Sequence, residues 1–244
     1  MFIKQIAYVY GNGESRKGWD INRDSYHGLQ IEGVTTWGCN AIYRDGVVDN
    51  LVCVDYSMQQ EIYESGYPSE NTCWFLDWDI LPPEFSGLEV IREQHKVIHE
   101  NTPTLSSSIG GLARIPNVGC VVNGKDDGDL YITWITRENR ICDIPYPKDW
   151  CSGTTAVHLA CQQGATELFL LGFDLSINNI YEGTKNYPKQ VEHPEWKLQL
   201  MTTFKEFKGT KFYWVEPQHS PVDDDTLENL KYITYVNIRR NICL

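Results

Sequence analysis

The chain has 244 residues, 41% hydrophobic and 22% charged. That is enough apolar content for one large or two small folded domains, and the charge is too ordinary for a wholly disordered chain. The net charge of −12, from 21 Lys and Arg against 33 Asp and Glu, repels polyanions and argues against a DNA-coating or membrane-surface protein.

Phe2–Tyr10 is an apolar, β-prone run that stops at Gly11-Asn12-Gly13. Gly33–Trp37, rich in Thr and Val, reads as a second strand leading into Gly38-Cys39-Asn40. Asn50–Val54 (NLVCV) reads as a buried strand ending at Asp55, Met58–Glu64 as a helix, and Cys73–Leu76 as the next strand. Leu88–His99 carries a tolerable helix face at Leu88, Ile91, His95, Val97 and Ile98. The piece from Ser106 to Ile144 is glycine-rich and irregular, with strands expected at Cys120–Val122 and Tyr131–Ile135. A small-residue turn at Ser152–Thr155 then opens a helix over 153–163, and 167–173 is a strand that ends on Gly172-Phe173-Asp174. Trp196–Phe207 is a further helix and Phe212–Val215 the last clear strand.

Strands interleaved with helices, several of them continuous apolar runs, predict an α/β fold with a mostly parallel sheet. No internal repeat or Pro/Gly/Ser linker divides the chain, so 1–244 reads as a single domain. Residues 176–195, rich in Tyr, Asn, Gly and Lys, are expected to form a lid loop. No apolar run approaches the roughly 20 residues of a membrane span, so no membrane partner is expected. The opening MFIKQIAYVY is too short and too polar for a secretion signal. Most of the eight cysteines sit in apolar runs with no CxxC pair and no zinc-like Cys/His spacing. Reduced thiols and a cytoplasmic location follow by elimination.

In such folds ligands bind beyond the carboxyl ends of the strands. Four of those ends carry small or polar groups: Gly11-Asn12-Gly13-Glu14-Ser15, Gly38-Cys39-Asn40, Asp55, and Ser152-Gly153-Thr154 ahead of a helix. Glycines let backbone N–H groups approach an oxyanion, and a helix start is a natural seat for phosphate or carboxylate. Each feature alone is ordinary turn or cap chemistry. Their coincidence on neighbouring strand ends points to a ligand.

The ordered set Gly11-Asn12-Gly13-x-Ser15, Cys39-Asn40, Ser152-Gly153 and Leu170-Leu171-Gly172-Phe173-Asp174 resembles the bacterial sialyltransferases that use CMP-activated sialic acid. The related set includes flagellin-glycosylation-associated and pterin-pyrophosphokinase-like proteins. The matching segments cover about a quarter of the chain. The resemblance implies a single Rossmann-like domain, a sialyltransferase-like variant of the glycosyltransferase-A fold, with a lid, metal-independent binding of a nucleotide sugar, and inverting transfer with a histidine base. Three positions depart from the family pattern. Glu14 stands where the family has proline, Asp55 where it has a second asparagine, and Ser176 where a tyrosine follows the strand aspartate. Two of these add negative charge beside a negatively charged donor.

A base for glycosyl transfer needs a pKa near operating pH, which histidine has without tuning. By resemblance the base lies between the lid and the next helix, which is His193, with His219 in reserve. His158 falls mid-helix among apolar neighbours and reads as packed or partly exposed scaffold. His95 and His99 share a helix face, but no Glu follows in a metal-binding pattern, and His27 lies in a polar loop. Tyr181 and Tyr187 flank the lid, and their phenols suit hydrogen bonding to a departing phosphate. Lys185 and Lys189 are alternatives for that role. Asp77-x-Asp79 follows a strand as the metal pair of metal-dependent glycosyltransferases does, but such a tripeptide is common by chance, and the acidic run at 222–226 reads as a helix cap.

The expected function is thus an inverting, metal-independent glycosyltransferase with no cofactor beyond its nucleotide-sugar substrate. Gly11, Asn12, Gly13, Ser15, Ser152, Gly153 and Thr154 would hold phosphate and sugar. Asn40, Asp55 and Asp174 would face the nucleotide, and His193, Tyr181 and Tyr187 would serve the chemistry. The hydroxyl acceptor can be a glycan, a protein or a modified nucleobase, and a homo-oligomer stays open. Two alternatives remain: a pyrophosphokinase-like transferase with magnesium on Asp77/Asp79 or Asp126/Asp127, and a non-catalytic nucleotide-binding protein.

Overall fold

A computed structural model describes residues 5–24, 32–76, 89–90, 105–106, 113–114, 122–123, 131–135, 151–175, 179–187, 194–216 and 227–242. Its centre is one eight-stranded sheet, parallel throughout. The strands are β1 (Ile6–Tyr10), β2 (Val34–Cys39), β3 (Asn50–Cys53), β4 (Cys73–Leu76), β9 (Ile132–Ile135), β10 (Glu167–Leu171), β11 (Lys211–Val215) and β12 (Leu230–Ile233). Between β4 and β9 lie four two-residue strands forming two antiparallel ribbons: β5 (Glu89–Val90) with β8 (Val122–Asn123), and β6 (Leu105–Ser106) with β7 (Ala113–Arg114). The helices are α1 (Ile21–Asp24), α2 (Tyr56–Glu64), α3 (Ser152–Gln162), α4 (Pro194–Glu206) and α5 (Tyr235–Ile242).

Both faces of the sheet are covered, which is why its strands read as unbroken apolar runs. Along β1 the side chains alternate between two cores. Ala7 and Val9 join Trp37, Val52, Leu168, Leu170, Phe212 and Trp214 under α3 and α4. Tyr8 and Tyr10 join Ile42, Leu51, Met58, Phe75 and Leu171 on the opposite face. The helix α3 is buried almost all round, from Ser152 to Cys161, because it crosses back over the sheet between β9 and β10.

The strand order is β12-β11-β10-β1-β2-β3-β4-β9. The chain therefore builds outward from β1 to β9, returns through α3, and builds outward again on the other side of β1. The reversal falls between β1 and β10, whose last residues, Tyr10 and Leu171, pair directly. This is where an open parallel sheet leaves a crevice at its carboxyl edge.

Three expectations change. Glu89–Val90 is a strand paired with Val122–Asn123 rather than part of a helix over Leu88–His99; the remainder of that segment lies outside the described residues. The strand expected over 167–173 stops at Leu171, because Gly172 turns to φ +75°. Phe212–Val215 is not the last strand, since β12 and α5 follow it.

Candidate functional site

The reversal presses two glycine loops together. Gly11 N–H donates to the Leu171 carbonyl at 2.7 Å and Gly13 N–H to the Gly172 carbonyl at 2.8 Å. A Cβ on Gly11 would stand 2.5 Å from the Gly172 oxygen, and one on Gly13 would stand 2.6 Å from Asp174 Oδ2. Ser15 N–H donates to that same Oδ2 at 2.8 Å, so Asp174 closes the start of the short 3-10 turn Glu14–Gly18. The Gly11, Gly13 and Ser15 amides thus serve the neighbouring loop. What this turn presents to a ligand is side chains rather than a nest of N–H groups.

Behind the turn lies a buried cation. Arg16 is 2% exposed; its Nε donates to the Gly11 carbonyl at 2.9 Å, and its Nη2 to Asp45 Oδ2 at 2.8 Å and Tyr181 Oη at 2.9 Å. The Tyr181 phenol donates in turn to Asp45 Oδ2 at 2.6 Å.

The described part of the expected lid, residues 179–187, is a strap docked on the carboxyl edge of the sheet. Asn179 bridges antiparallel to Gly13, and Ile180 N–H donates to the Asn12 carbonyl at 3.0 Å. Tyr181 and Tyr187 are buried, and the Arg44 guanidinium stands 5.8 Å from the centre of each ring. Arg44 pairs with Glu61 and donates to Thr184 Oγ1 at 2.7 Å and the Lys185 carbonyl at 2.9 Å. Burial alone would raise the Glu61 carboxyl, but donation from Tyr43, Arg44 and Asn186 outweighs it and holds Glu61 below its usual range.

One strap phenol reaches the strand ends directly. Asn12 Nδ2 donates to Tyr187 Oη at 2.8 Å. Asn40, in the left-handed region at φ 48°, donates from Nδ2 to Asp55 Oδ2 at 3.0 Å. Burial pushes both the Tyr181 and Tyr187 phenols above their ordinary range.

The start of α3 lies at the same edge, where a Cβ on Gly153 would touch Phe173, Cys151 and Cys39 at ordinary contact distances. Its hydroxyls are structural. Ser152 Oγ accepts from Val54 N–H at 2.9 Å, tying α3 to the end of β3. Thr154 Oγ1 donates to Gln199 Oε1 at 2.6 Å, tying it to α4. The Gly153 and Thr154 amides face the Cys151 thiol; burial, outweighing them, pushes that thiol up to about 11.

No family model, curated protein or solved structure matches this chain. The geometry alone therefore carries the assignment of the crevice.

Among the described residues, Gly11, Asn12, Gly13, Ser15, Asn40, Asp55, Gly153, Asp174 and Tyr187 gather at this edge, with Tyr181 beneath it. Glu14 is neutralised by an ion pair with Lys17, and Lys185 lies 3.8 Å from Glu64. His158 is 1% exposed, as its apolar neighbours implied. The five described cysteines, Cys39, Cys53, Cys73, Cys151 and Cys161, are free thiols. No group of three metal-ligating side chains occurs among the described residues, and none of the helices in that set is long and apolar enough to cross a membrane. His27, His95, His99, His193, His219, Asp77, Asp79, Asp126, Asp127, Ser176, Lys189 and the acidic run 222–226 lie outside the described residues.

Sequence reasoning missed Arg16, Arg44, Asp45, Glu61 and Asn179. Arg16-Lys17 reads as a solvated basic pair, and nothing local distinguishes the buried member from the exposed one. Four buried polar atoms at this edge have no hydrogen-bond partner among the described residues: Ser15 Oγ, Asn40 Oδ1, Asp174 Oδ1 and Asn179 Nδ2.

Proposed function

We propose that the protein is an inverting glycosyltransferase that moves a sugar from a nucleotide-sugar donor to a hydroxyl acceptor without a metal, on a sialyltransferase-like variant of the parallel α/β fold. The observation that supports this reading is the β1–β10 reversal, which gathers the Gly11–Ser15 turn, Asn40 and Gly172–Asp174 at one carboxyl edge. In this reading Asn12, Ser15, Asn40 and Asp174 hold the donor. Tyr187 presents an uncharged hydroxyl toward the leaving phosphate, with the 176–195 segment as the lid. His193, immediately before α4, takes the acceptor proton.

A thermal-shift screen of nucleotides and nucleotide sugars, run with and without EDTA, tests donor class and metal need together. The expected result is a rise in Tm on donor addition that EDTA leaves intact. Turnover that EDTA abolishes and manganese restores would move the reading to the pyrophosphokinase-like alternative and to Asp77 and Asp79. His193→Ala should then lower kcat by about 10²–10⁴-fold with donor Kd nearly unchanged. Unchanged turnover would pass the role to His219.

A second reading, a nucleotide-binding protein without transfer, is favoured by the burial of both strap phenols and by the Asp55 carboxylate beside Asn40. Donor binding with no turnover on any acceptor would establish it.

A further inference from the structure

Three of the unpartnered atoms belong to residues that meet around Gly13. Asp174 and Ser15 are joined through the Ser15 N–H bond to Oδ2, which leaves Asp174 Oδ1 and Ser15 Oγ unused. Asn179 faces Gly13 across an antiparallel bridge, and residues paired this way project their side chains on the same face. On that face of Gly13 stands the Asp174 carboxylate, 2.6 Å from where a Cβ would be. Asn179 is 8% exposed; its Oδ1 accepts from Tyr181 N–H at 2.8 Å, so Nδ2 is the end left over. A buried acceptor, a buried donor and a hydroxyl able to play either part thus belong to three residues gathered around Gly13. A buried hydrogen-bonding group left unmet is costly, so three on neighbouring residues mark a group that completes them.

The chemistry of that group follows from the three atoms. A phosphate only accepts, and it would meet the Asp174 carboxylate with like charge, while the turn's Gly11, Gly13 and Ser15 amides are already engaged. An ammonium only donates and leaves Asn179 Nδ2 unmet. A sugar hydroxyl donates to a carboxylate and accepts from an amide at once. We infer that Ser15, Asp174 and Asn179 form a seat for a hydroxyl pair of a sugar, with the anionic part of the ligand lying elsewhere in the crevice. The inference rests on the reading of this crevice as the donor site and assigns its Gly11–Ser15 end to a polyol rather than to phosphate. The three atoms are closed to solvent, so the ligand enters as the Asn179–Tyr187 strap lifts, and Asn179 completes the seat when the strap returns. The hydroxyls come either from the ribose of a nucleotide or from the transferred sugar.

The test is calorimetric titration of the whole chain with ribonucleoside monophosphates, their 2′,3′-dideoxy analogues, and a panel of free hexoses and nonulosonic acids. Wild type and Asp174→Asn are compared. The amide keeps an oxygen for Ser15 N–H and turns a donor into the seat, so the loop bond survives while the acceptor is lost. If ribose occupies the seat, dideoxy analogues bind about 10–100-fold more weakly than their parents. That penalty shrinks in Asp174→Asn, because the two changes remove one interaction. If no nucleotide binds but a free sugar does, and Asp174→Asn weakens it by about 10-fold or more, the seat stands and the nucleotide-sugar reading falls. Nucleotide binding that is indifferent both to the ribose hydroxyls and to Asp174→Asn, with no sugar bound, overturns the seat and leaves the nucleotide reading standing; the three atoms then hold a structural water. Binding of neither class overturns it as well. Ser15→Ala guards against misfolding as an explanation. It removes only an unpartnered hydroxyl, so its ligand-free Tm should equal or exceed that of wild type, and a lower Tm would show that the hydroxyl serves the fold.

Discussion

His158 sits in the middle of α3, its ring edge-on to Phe207 at 5.2 Å and both nitrogens without a hydrogen bond among the described residues. The nearest acid is Glu206, 3.8 Å away. Burial lowers the imidazole from 6.5 to about 4. Above 6.5 the side chain is neutral in both folded and unfolded chains, and its neutrality costs nothing. As the pH falls from 6.5 toward 4 the unfolded chain takes up the proton first, so stability drains away across that window, by about 3 kcal/mol at most. Urea unfolding at about pH 7.5 and about pH 4.5 should show a loss in wild type that His158→Leu reduces by about 2 kcal/mol. Equal losses would mean that the ring reaches water before the chain unfolds. The mid-helix position among apolar neighbours made this burial legible in the sequence. That neither nitrogen makes a hydrogen bond among the described residues was not, because it depends on where α4 ends.

At the level of elements, the two glycine sites that look alike in the sequence behave differently. A Cβ on Gly11 meets backbone at 2.5 Å, which no side-chain adjustment relieves. On Gly153 the nearest atoms are at 3.4–3.7 Å, an ordinary contact, and the residue is helical. Gly11→Ala should therefore cost about 1–3 kcal/mol or more, whereas Gly153→Ala should be neutral or stabilising by up to about 1 kcal/mol. Chemical denaturation of the pair checks this, and equal effects would mean that β1 and β10 are not in close apposition. The strap gives a second test. Arg44 ties it to α2 through Glu61, so Arg44→Met should speed hydrogen exchange at residues 179–187 by about 10-fold while the β1 and β10 amides keep their protection. The composition of this segment predicted a lid and a site at its tyrosines. It did not predict that both phenols would be buried, because Arg16, Asp45 and Arg44 meet them from distant parts of the chain. The helix start at Ser152 illustrates the converse: the pattern marked an anion seat, and the hydroxyls turn out to be joints between α3 and its neighbours.

For the whole molecule, 33 acidic groups against 21 basic ones leave a self-repelling charge of −12. Raising NaCl from about 0.02 to about 0.3 M shortens the screening length and should lift Tm by about 2–5 °C; a fall would place the stabilising ion pairs, such as Arg16–Asp45, above the net repulsion. The alternation of strands and helices was readable because both sheet faces are covered and each strand is a continuous apolar run. Strand β12 was not, since it is an edge strand whose Lys231 and Tyr232 are exposed, and neither was the strand order, which no local pattern encodes. That order also dictates how the protein is made. β1 emerges from the ribosome well before β10, at Glu167–Leu171, which is one of its two neighbours in the sheet. Until those residues are synthesised, β1 is a bare edge able to template pairing with another chain. A tethered nascent chain should accordingly develop pulling force late, once β10 to β12 have cleared the exit tunnel, and chains arrested before Glu167 should lean on chaperones that full-length chains no longer need.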